Sequence, residues 1–229
     1  MKFIIDDANV EAIKNLYEFF PVEGVTTNPS ILAKAKKHPY EVLGEIREII
    51  GADADLHVQV VSKKAEDMVR EAKVICEKLG QNTYVKVPTT REGLKAMKAL
   101  SKEGIKITAT AIYTPMQAYL AGKAGADYAA PYVNRIDNLG ANGVEAAKKI
   151  HDIFKNNGLK TEVLAASFKN SQQVLELCEY GIGAATIAPD VIEGLIKNAS
   201  VTSAVEAFTS DFEGLCGEGK TMENNYIRR

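Results

Sequence analysis

A lysine sits inside NTYVKVP, residues 82 to 88, a short run of β-branched and aromatic residues that reads as a buried strand. Two readings of Lys86 compete. On an edge strand its stem would lie along the surface and its ammonium would reach water. Enclosed, it becomes a nucleophile: a neutral amine attacks a carbonyl, and the resulting iminium withdraws electrons from the neighbouring C–C bond. An unperturbed lysine, with a pKa near ~10.4, is only about 0.04% neutral at pH 7, so this chemistry needs apolar surroundings that lower the value. It also needs proton donors and acceptors, because forming and dehydrating a carbinolamine moves protons. Polar residues recur where other apolar runs end: Asp6, Asn28, Gln59, Thr110, Tyr132, Arg135 and Ser167. Gln59, Thr110 and Tyr132 are candidates to hold a water beside the lysine, and Thr26 joins Asn28 as a candidate substrate contact.

Positioning such a set requires strands that end together. The β-like runs are KFIID (2 to 6), GVTTN (24 to 28), DLHVQV (55 to 60), TYVKVP (83 to 88), KITATAI (106 to 112), YAAPYV (128 to 133), EVLAAS (162 to 167) and GAATIAP (183 to 189). Amphipathic stretches separate them, such as AEDMVREAKVICEKLG, whose apolar or small residues Met68, Val69, Ala72, Ile75, Cys76 and Leu79 precede a stop at Gly80. Strand followed by helix, repeated without a linker, predicts a parallel sheet covered by helices. Eight units in this length predict an α/β fold of the (β/α)8 TIM-barrel type over 1–229, with one more helix at 200–216 and a polar tail at 217–229. An open doubly wound sheet is the alternative, but it calls for a glycine-rich phosphate loop after the first strand, and IIDDANVE has none. In a barrel the active site lies at the C-terminal mouth, where the polar strand ends gather. Helix capping accounts for Asp6 or Asn28 singly, but not for the whole set. Alternation places Lys86 opposite Val85 and Val87, so with those valines under the helices the lysine points into the lumen.

Composition narrows the function. The chain has 229 residues, 46% hydrophobic and 25% charged, and its net charge of −2 offers no electrostatic attraction to nucleic acid or membrane. MKFIIDDANV lacks the apolar stretch of a signal peptide and no run approaches the roughly 20 apolar residues of a membrane span, so a cytoplasmic location is expected. Cys76, Cys178 and Cys216 are odd in number and lie in helical patterns, which predicts buried or partly buried thiols. His38, His57 and His151 form no metal-spaced cluster, and no metal is expected. GLCGEGKT, residues 214 to 221, fits the phosphate-loop pattern letter for letter, which raises a nucleotide-hydrolase reading. That loop must follow a strand and open a helix, whereas here a helix precedes it and only MENNYIRR follows. Asn198-Ala-Ser matches a glycosylation acceptor by chance, and Lys169 is either an aid to phosphate binding or a solvated helix-start lysine.

GVTTNPS (24 to 30), VKVP (85 to 88), EGLKAMKALSKEGIKITATAIYTPMQA (92 to 118), APYVNRID (130 to 137) and VLAASFKN (163 to 170) agree in order and spacing with one family. The chain resembles the small transaldolases and fructose-6-phosphate aldolases from Asp6 to about Gly214. The resemblance implies a barrel acting on ketose and aldose phosphates through a Schiff-base lysine, with no metal and no cofactor. It puts the lysine at Lys86, the strand-one aspartate at Asp6, the strand-two asparagine at Asn28 and the phosphate contacts at Arg135 and Ser167. It also implies a ring-forming homo-oligomer, often a decamer, whose C-terminal helix reaches a neighbour. In the transaldolase branch the residue matching Gln59 is usually glutamate and that matching Tyr132 usually phenylalanine. Glutamine and tyrosine are the aldolase-like pair, so the expectation is a lyase that makes and breaks fructose 6-phosphate, with transaldolase as the alternative. A non-catalytic phosphosugar-binding module would keep Arg135 and Ser167 but lose the lumen lysine.

Overall fold

A computed structural model describes residues 1–225. In chain order β1 (Lys2–Asp6) is followed by α1 (Val10–Phe19), β2 (Gly24–Thr26) by α2 (Pro29–Lys34) and α3 (Pro39–Ile50), and β3 (Asp55–Gln59) by α4 (Ala65–Leu79). Next come β4 (Thr83–Pro88) with α5 (Arg91–Lys102), β5 (Ile107–Ile112) with α6 (Pro115–Lys123), and β6 (Tyr128–Pro131) with α7 (Val133–Asp137) and α8 (Gly143–Asn156). β7 (Glu162–Ala165) precedes α9 (Ser171–Tyr180), and β8 (Ala184–Ile187) precedes α10 (Pro189–Gly194) and α11 (Ala199–Cys216). Each strand pairs in parallel with the next, and β8 returns to β1 with Lys2 opposite Ala184 and Ile5 opposite Ile187. That pairing closes the sheet into the expected barrel and excludes the open alternative.

Alternation along the strands sorts the core into two shells. Ile5, Val25, Leu56, Val85, Val87, Ile107 and Val163 are fully buried beneath the helices. Each helix meets them with an apolar stripe: α4 buries Met68, Ala72, Ile75 and Leu79 and stops at Gly80, as its sequence pattern predicts. The inward set fills the lower lumen, where Ile4, Tyr128, Leu164 and Ala184 pack together with Tyr84 against them. His57 lies in this layer, stacked on Tyr84 with ring centroids 4.6 Å apart. Below it, the Lys2 ammonium donates to Asp55 at 2.8 Å. The barrel is thus plugged from its N-terminal end up to Lys86.

Several strands end earlier than the sequence runs indicate. β2 stops at Thr26, β6 at Pro131 and β7 at Ala165, so Asn28, Tyr132 and Ser167 lie just past their strands. Two connections also carry an additional short helix, α2 after β2 and α7 after β6. Both differences have one cause: at the mouth the chain turns outward while its side chains still face the lumen, so apolar patterning continues beyond the last ladder hydrogen bond. Cys76 and Cys216 are partly buried, but Cys178 on α9 is exposed, because the buried face of that helix runs through Gln173, Val174 and Leu177.

The chain divides into two compact units, Met1–Ile192 with the barrel and a second from Glu193 onward that holds α11. α11 begins at Ala199, one residue before the expected boundary, and is capped by the Asn198 side chain, which accepts from Ser200 N. No residue of α11 is buried. No helix among the described residues is long and apolar enough to cross a membrane.

Candidate active site

Lys86 is 6% exposed, within the lumen, with Val85 and Val87 on the opposite face of β4. Its Nζ donates to the Thr27 carbonyl at 2.7 Å. One such bond uses one of the three donors an ammonium carries. Burial accordingly pushes the lysine below its ordinary value, opposed by the attraction of Asp6. Burial likewise raises the Asp6 carboxyl, opposed first by Lys86 and then by a hydrogen bond from Thr26. Acid and base are each drawn towards neutrality by burial and towards charge by one another.

The walls around this pair are hydroxyls. Thr26 Oγ1 donates to Asp6 Oδ1 at 2.8 Å and lies 2.6 Å from Thr186 Oγ1. Across the lumen Thr110 Oγ1 and the Tyr132 phenol are 2.8 Å apart. Local backbone sets that contact. Ala111 adopts φ 57° and the β5–β6 register shifts between Ala109 and Ile112, an irregularity that turns the chain directly after Thr110. A left-handed alanine costs about 1 to 2 kcal/mol, retained here by the ladder bonds on either side.

Arg135 and Ser167 reach the mouth from neighbouring connections that are tied together. Val133 N donates to Ala166 O at 2.9 Å and Asn134 N to Ser167 O at 2.8 Å, so the first turn of α7 is hydrogen-bonded to the exit of β7. Gly143 makes room for this, since a Cβ there would overlap the Val133 carbonyl. Ser167 itself sits at φ 63°. Beneath both, Asp137 accepts from Gly143 N and from Gln173 Nε2, each at 2.7 Å, and Gln173 Oε1 receives Lys169 N at 2.8 Å. The Arg135 guanidinium lies 4.5 Å from the centre of the Tyr132 ring, whose edge meets Tyr113 at 5.6 Å between centroids.

These residues surround one cavity of 220 Å³. It is lined by Asp6, Thr26, Asn28, Lys86, Thr110, Tyr132, Arg135 and Ser167, and also by Ser30, Ile31, Lys34, Ala130, Leu164, Ala166 and Thr186. Gln59 is placed apart. It pairs in register with Lys86 but lines a separate, mostly apolar cavity of 320 Å³ with Leu32, Tyr40, Leu43 and Val58. Asn28 caps α2, accepting from Ile31 N at 3.0 Å, whereas Asp6 caps nothing and Asn9 opens α1. Lys169 does not line the site. Ser30, Lys34 and Thr186 went unnoticed in the sequence; the available signal was the four-residue spacing of Ser30 and Lys34 after Asn28, and the lumen parity of Thr186 in β8. GLCGEGKT begins in the last turn of α11, so a helix precedes it as its sequence context indicates. Among the described residues no group of three or more His, Cys, Asp or Glu is placed to hold a metal ion.

A buried lysine beside a carboxyl, ringed by hydroxyls and opening towards an arginine, can bind a phosphorylated carbonyl compound and activate its carbonyl. Over residues 3–226 the sequence matches the family described as Transaldolase/Fructose-6-phosphate aldolase. The chain belongs to this family. It is 44% identical over 215 residues to a probable transaldolase of Thermodesulfovibrio yellowstonii, covering 94% of this chain and 99% of the relative. It is 43% identical to one of Caldicellulosiruptor saccharolyticus, covering 93% and 97%, and 41% identical to one of Methanococcus maripaludis, covering 93% and 98%. Membership makes the protein an aldolase-type enzyme of a family whose substrates are sugar phosphates. The non-catalytic alternative falls with it.

Proposed function

We propose that the protein is a class I aldolase that cleaves and forms fructose 6-phosphate, with dihydroxyacetone and glyceraldehyde 3-phosphate as the three-carbon partners. Neutral Lys86 attacks C2 of the ketose, and loss of water from the carbinolamine gives the iminium. The C4 hydroxyl passes its proton to Asp6, the C3–C4 bond breaks, and its electron pair enters the iminium to leave an enamine. The aldehyde departs from the Arg135 and Ser167 side. A proton then returns to C3, water adds to the iminium, and dihydroxyacetone leaves as Lys86 is restored. The iminium is the electron sink, so this scheme calls on no metal and no cofactor.

The observation that carries the lyase reading is the Tyr132 phenol, 2.8 Å from Thr110 Oγ1 in the cavity of Lys86. A phenol can deliver the proton that releases the three-carbon unit, which a phenyl ring cannot. Gln59 supports it less, because it lines the neighbouring cavity. Transaldolase is the second reading, favoured by the names of relatives 41% to 44% identical. A transferase must keep its enamine from protons until an acceptor aldose arrives. Fructose 6-phosphate cleavage measured with erythrose 4-phosphate absent and then present separates the two. Turnover without acceptor supports the lyase, and strict dependence with sedoheptulose 7-phosphate as product supports the transferase. Self-association belongs to the same reading: Val201, Val205 and Phe208 follow one face of α11 and are 58%, 57% and 71% exposed, which fits burial against a second copy. Sedimentation velocity tests it.

A further inference from the structure

Four ionisable side chains line the catalytic cavity: Asp6, Lys34, Lys86 and Arg135. The Asp6 carboxyl and the Lys86 amine face one another as acid and base, which leaves Arg135 and Lys34 as the two further basic groups of the lining. A phosphate monoester carries about −1.5 to −2 at pH 7, and one arginine answers only half of it.

Lys34 is exposed and stands at the rim of the site. Ser30, Ile31 and Lys34 line the catalytic cavity, Ile31 and Lys34 also border a neighbouring cavity with Asp7, Glu11 and Glu45, and Leu32 and Ala33 line the apolar cavity behind. β2 and β6 are four positions apart in a closed ring of eight, so α2 and α7 face one another across the mouth with Lys86 between. Lys34 makes no side-chain hydrogen bond or ion pair among the described residues, whereas Lys37, one turn on, is bound to Glu45 at 2.9 Å. Its place in the C-terminal turn of α2 explains a positive charge there, but not why that charge borders this cavity.

We propose that Lys34 is a specificity-determining residue, the second cation for the substrate phosphate, drawing the dianion into the mouth from the wall opposite Arg135. The inference rests on the sugar-phosphate reading of the same cavity. An ammonium on a flexible stem acts as a point charge over several ångströms, so Lys34 governs capture while the planar fork of Arg135 sets the grip.

The test uses a ligand that cannot form an iminium. Calorimetric binding of glycerol 3-phosphate to the full chain is expected to weaken about three- to tenfold in Lys34→Gln, the scale of one screened charge acting on a dianion. Lys34→Arg should restore it, and the salt dependence of binding should flatten in Lys34→Gln. In turnover, the loss should fall on KM for fructose 6-phosphate and spare unphosphorylated fructose. Unchanged glycerol 3-phosphate affinity, an unchanged salt slope, or equal losses for fructose would overturn the proposal. A wild type that binds glycerol 3-phosphate through Lys34 yet neither cleaves fructose 6-phosphate nor transfers from it would support the proposal and overturn the aldolase reading.

Discussion

Replacing Tyr132 by phenylalanine removes one oxygen and keeps the ring. The edge contact with Tyr113 at 5.6 Å and the Arg135 guanidinium at 4.5 Å from the ring centre both survive, so phosphate-side packing is preserved. What is lost is the 2.8 Å hydrogen bond to Thr110 Oγ1, whose residue is 1% exposed. A hydrogen bond of this type contributes about 1 kcal/mol, and leaving a buried hydroxyl unpaired costs about 1 to 3 kcal/mol. Against a total stability of about 5 to 15 kcal/mol the variant stays folded. Loss of a positioned acid or base slows a step by about 10² to 10⁴, or roughly 3 to 5 kcal/mol of barrier. Catalysis should therefore suffer more than folding. Fructose 6-phosphate cleavage without acceptor should fall by about 10² or more, with KM within about threefold of wild type. Borohydride should still trap the substrate iminium on Lys86, because it forms before the lost proton transfer, while the three-carbon unit waits as an enamine that borohydride does not reduce. Adding erythrose 4-phosphate should then yield more sedoheptulose 7-phosphate per turnover than in wild type. Cleavage within about twofold of wild type would refute the reasoning, since no positioned proton donor is that dispensable.

Lys86→Met should abolish both the borohydride adduct and turnover while retaining the fold, and chelators should leave wild-type activity intact. The same variant has a stability signature. Because burial lowers this lysine, the unfolded chain takes up its proton first as pH falls from about 10.4, and the folded state loses stability through that window. Methionine removes the loss, so urea midpoints should favour Lys86→Met at pH 7 and converge with wild type above about pH 10.4. Arg135→Ala should cost about 2 to 4 kcal/mol in kcat/KM for glyceraldehyde 3-phosphate as acceptor and spare unphosphorylated glyceraldehyde; equal loss for both would mean the arginine does not grip phosphate. His57 is fully buried and pushed well below its ordinary value by burial, then by Lys86 and Lys2. Protonation of the unfolded chain below about pH 6.5 should therefore remove up to about 2 kcal/mol of stability by pH 5, a slope that flattens in His57→Leu.

Much of this architecture is legible in the sequence because it depends on local alternation. TYVKVP, with valines flanking a lysine, fixes the side to which Lys86 points once the strand is enclosed, and the repeated strand and helix patterns enclose it. Asp6, Thr110 and Tyr132 follow from the same parity. Gln59 obeys the parity yet opens on another cavity, because the depth at which a side chain emerges depends on α2 and α3 packing beside it, which no pattern within β3 records. Asp137 and Gln173 were invisible for a related reason. They are 36 residues apart, and only the closed barrel brings α7 and α9 within hydrogen-bonding distance. Lys34 was hidden by its surroundings, since KAKK reads as a solvated basic run until α2 is seen to border the cavity at the mouth.

On the proposed reading, Tyr132, which favours the lyase, stands on chain that lies outside the barrel's regular pairing. Lys86 and Asp6 belong to unbroken strands whose register fixes them against the plugged lumen. Thr110 precedes a left-handed alanine and a register shift, Tyr132 follows the end of β6 and makes only an isolated bridge with Ala166, and Ser167 is itself left-handed. A regular β5 would carry the chain straight past Ala109, and the Thr110 hydroxyl would lose the turn that brings it to the phenol. On the proposed mechanism the mouth divides two tasks: the strands hold the amine and the carboxyl that Schiff-base cleavage uses, and the irregular ends set where the proton for release comes from. Within this family, substitutions that alter reaction type should concentrate at the end of β3, where Gln59 lies, and in the segments after β5, β6 and β7, while the β1 and β4 residues stay fixed.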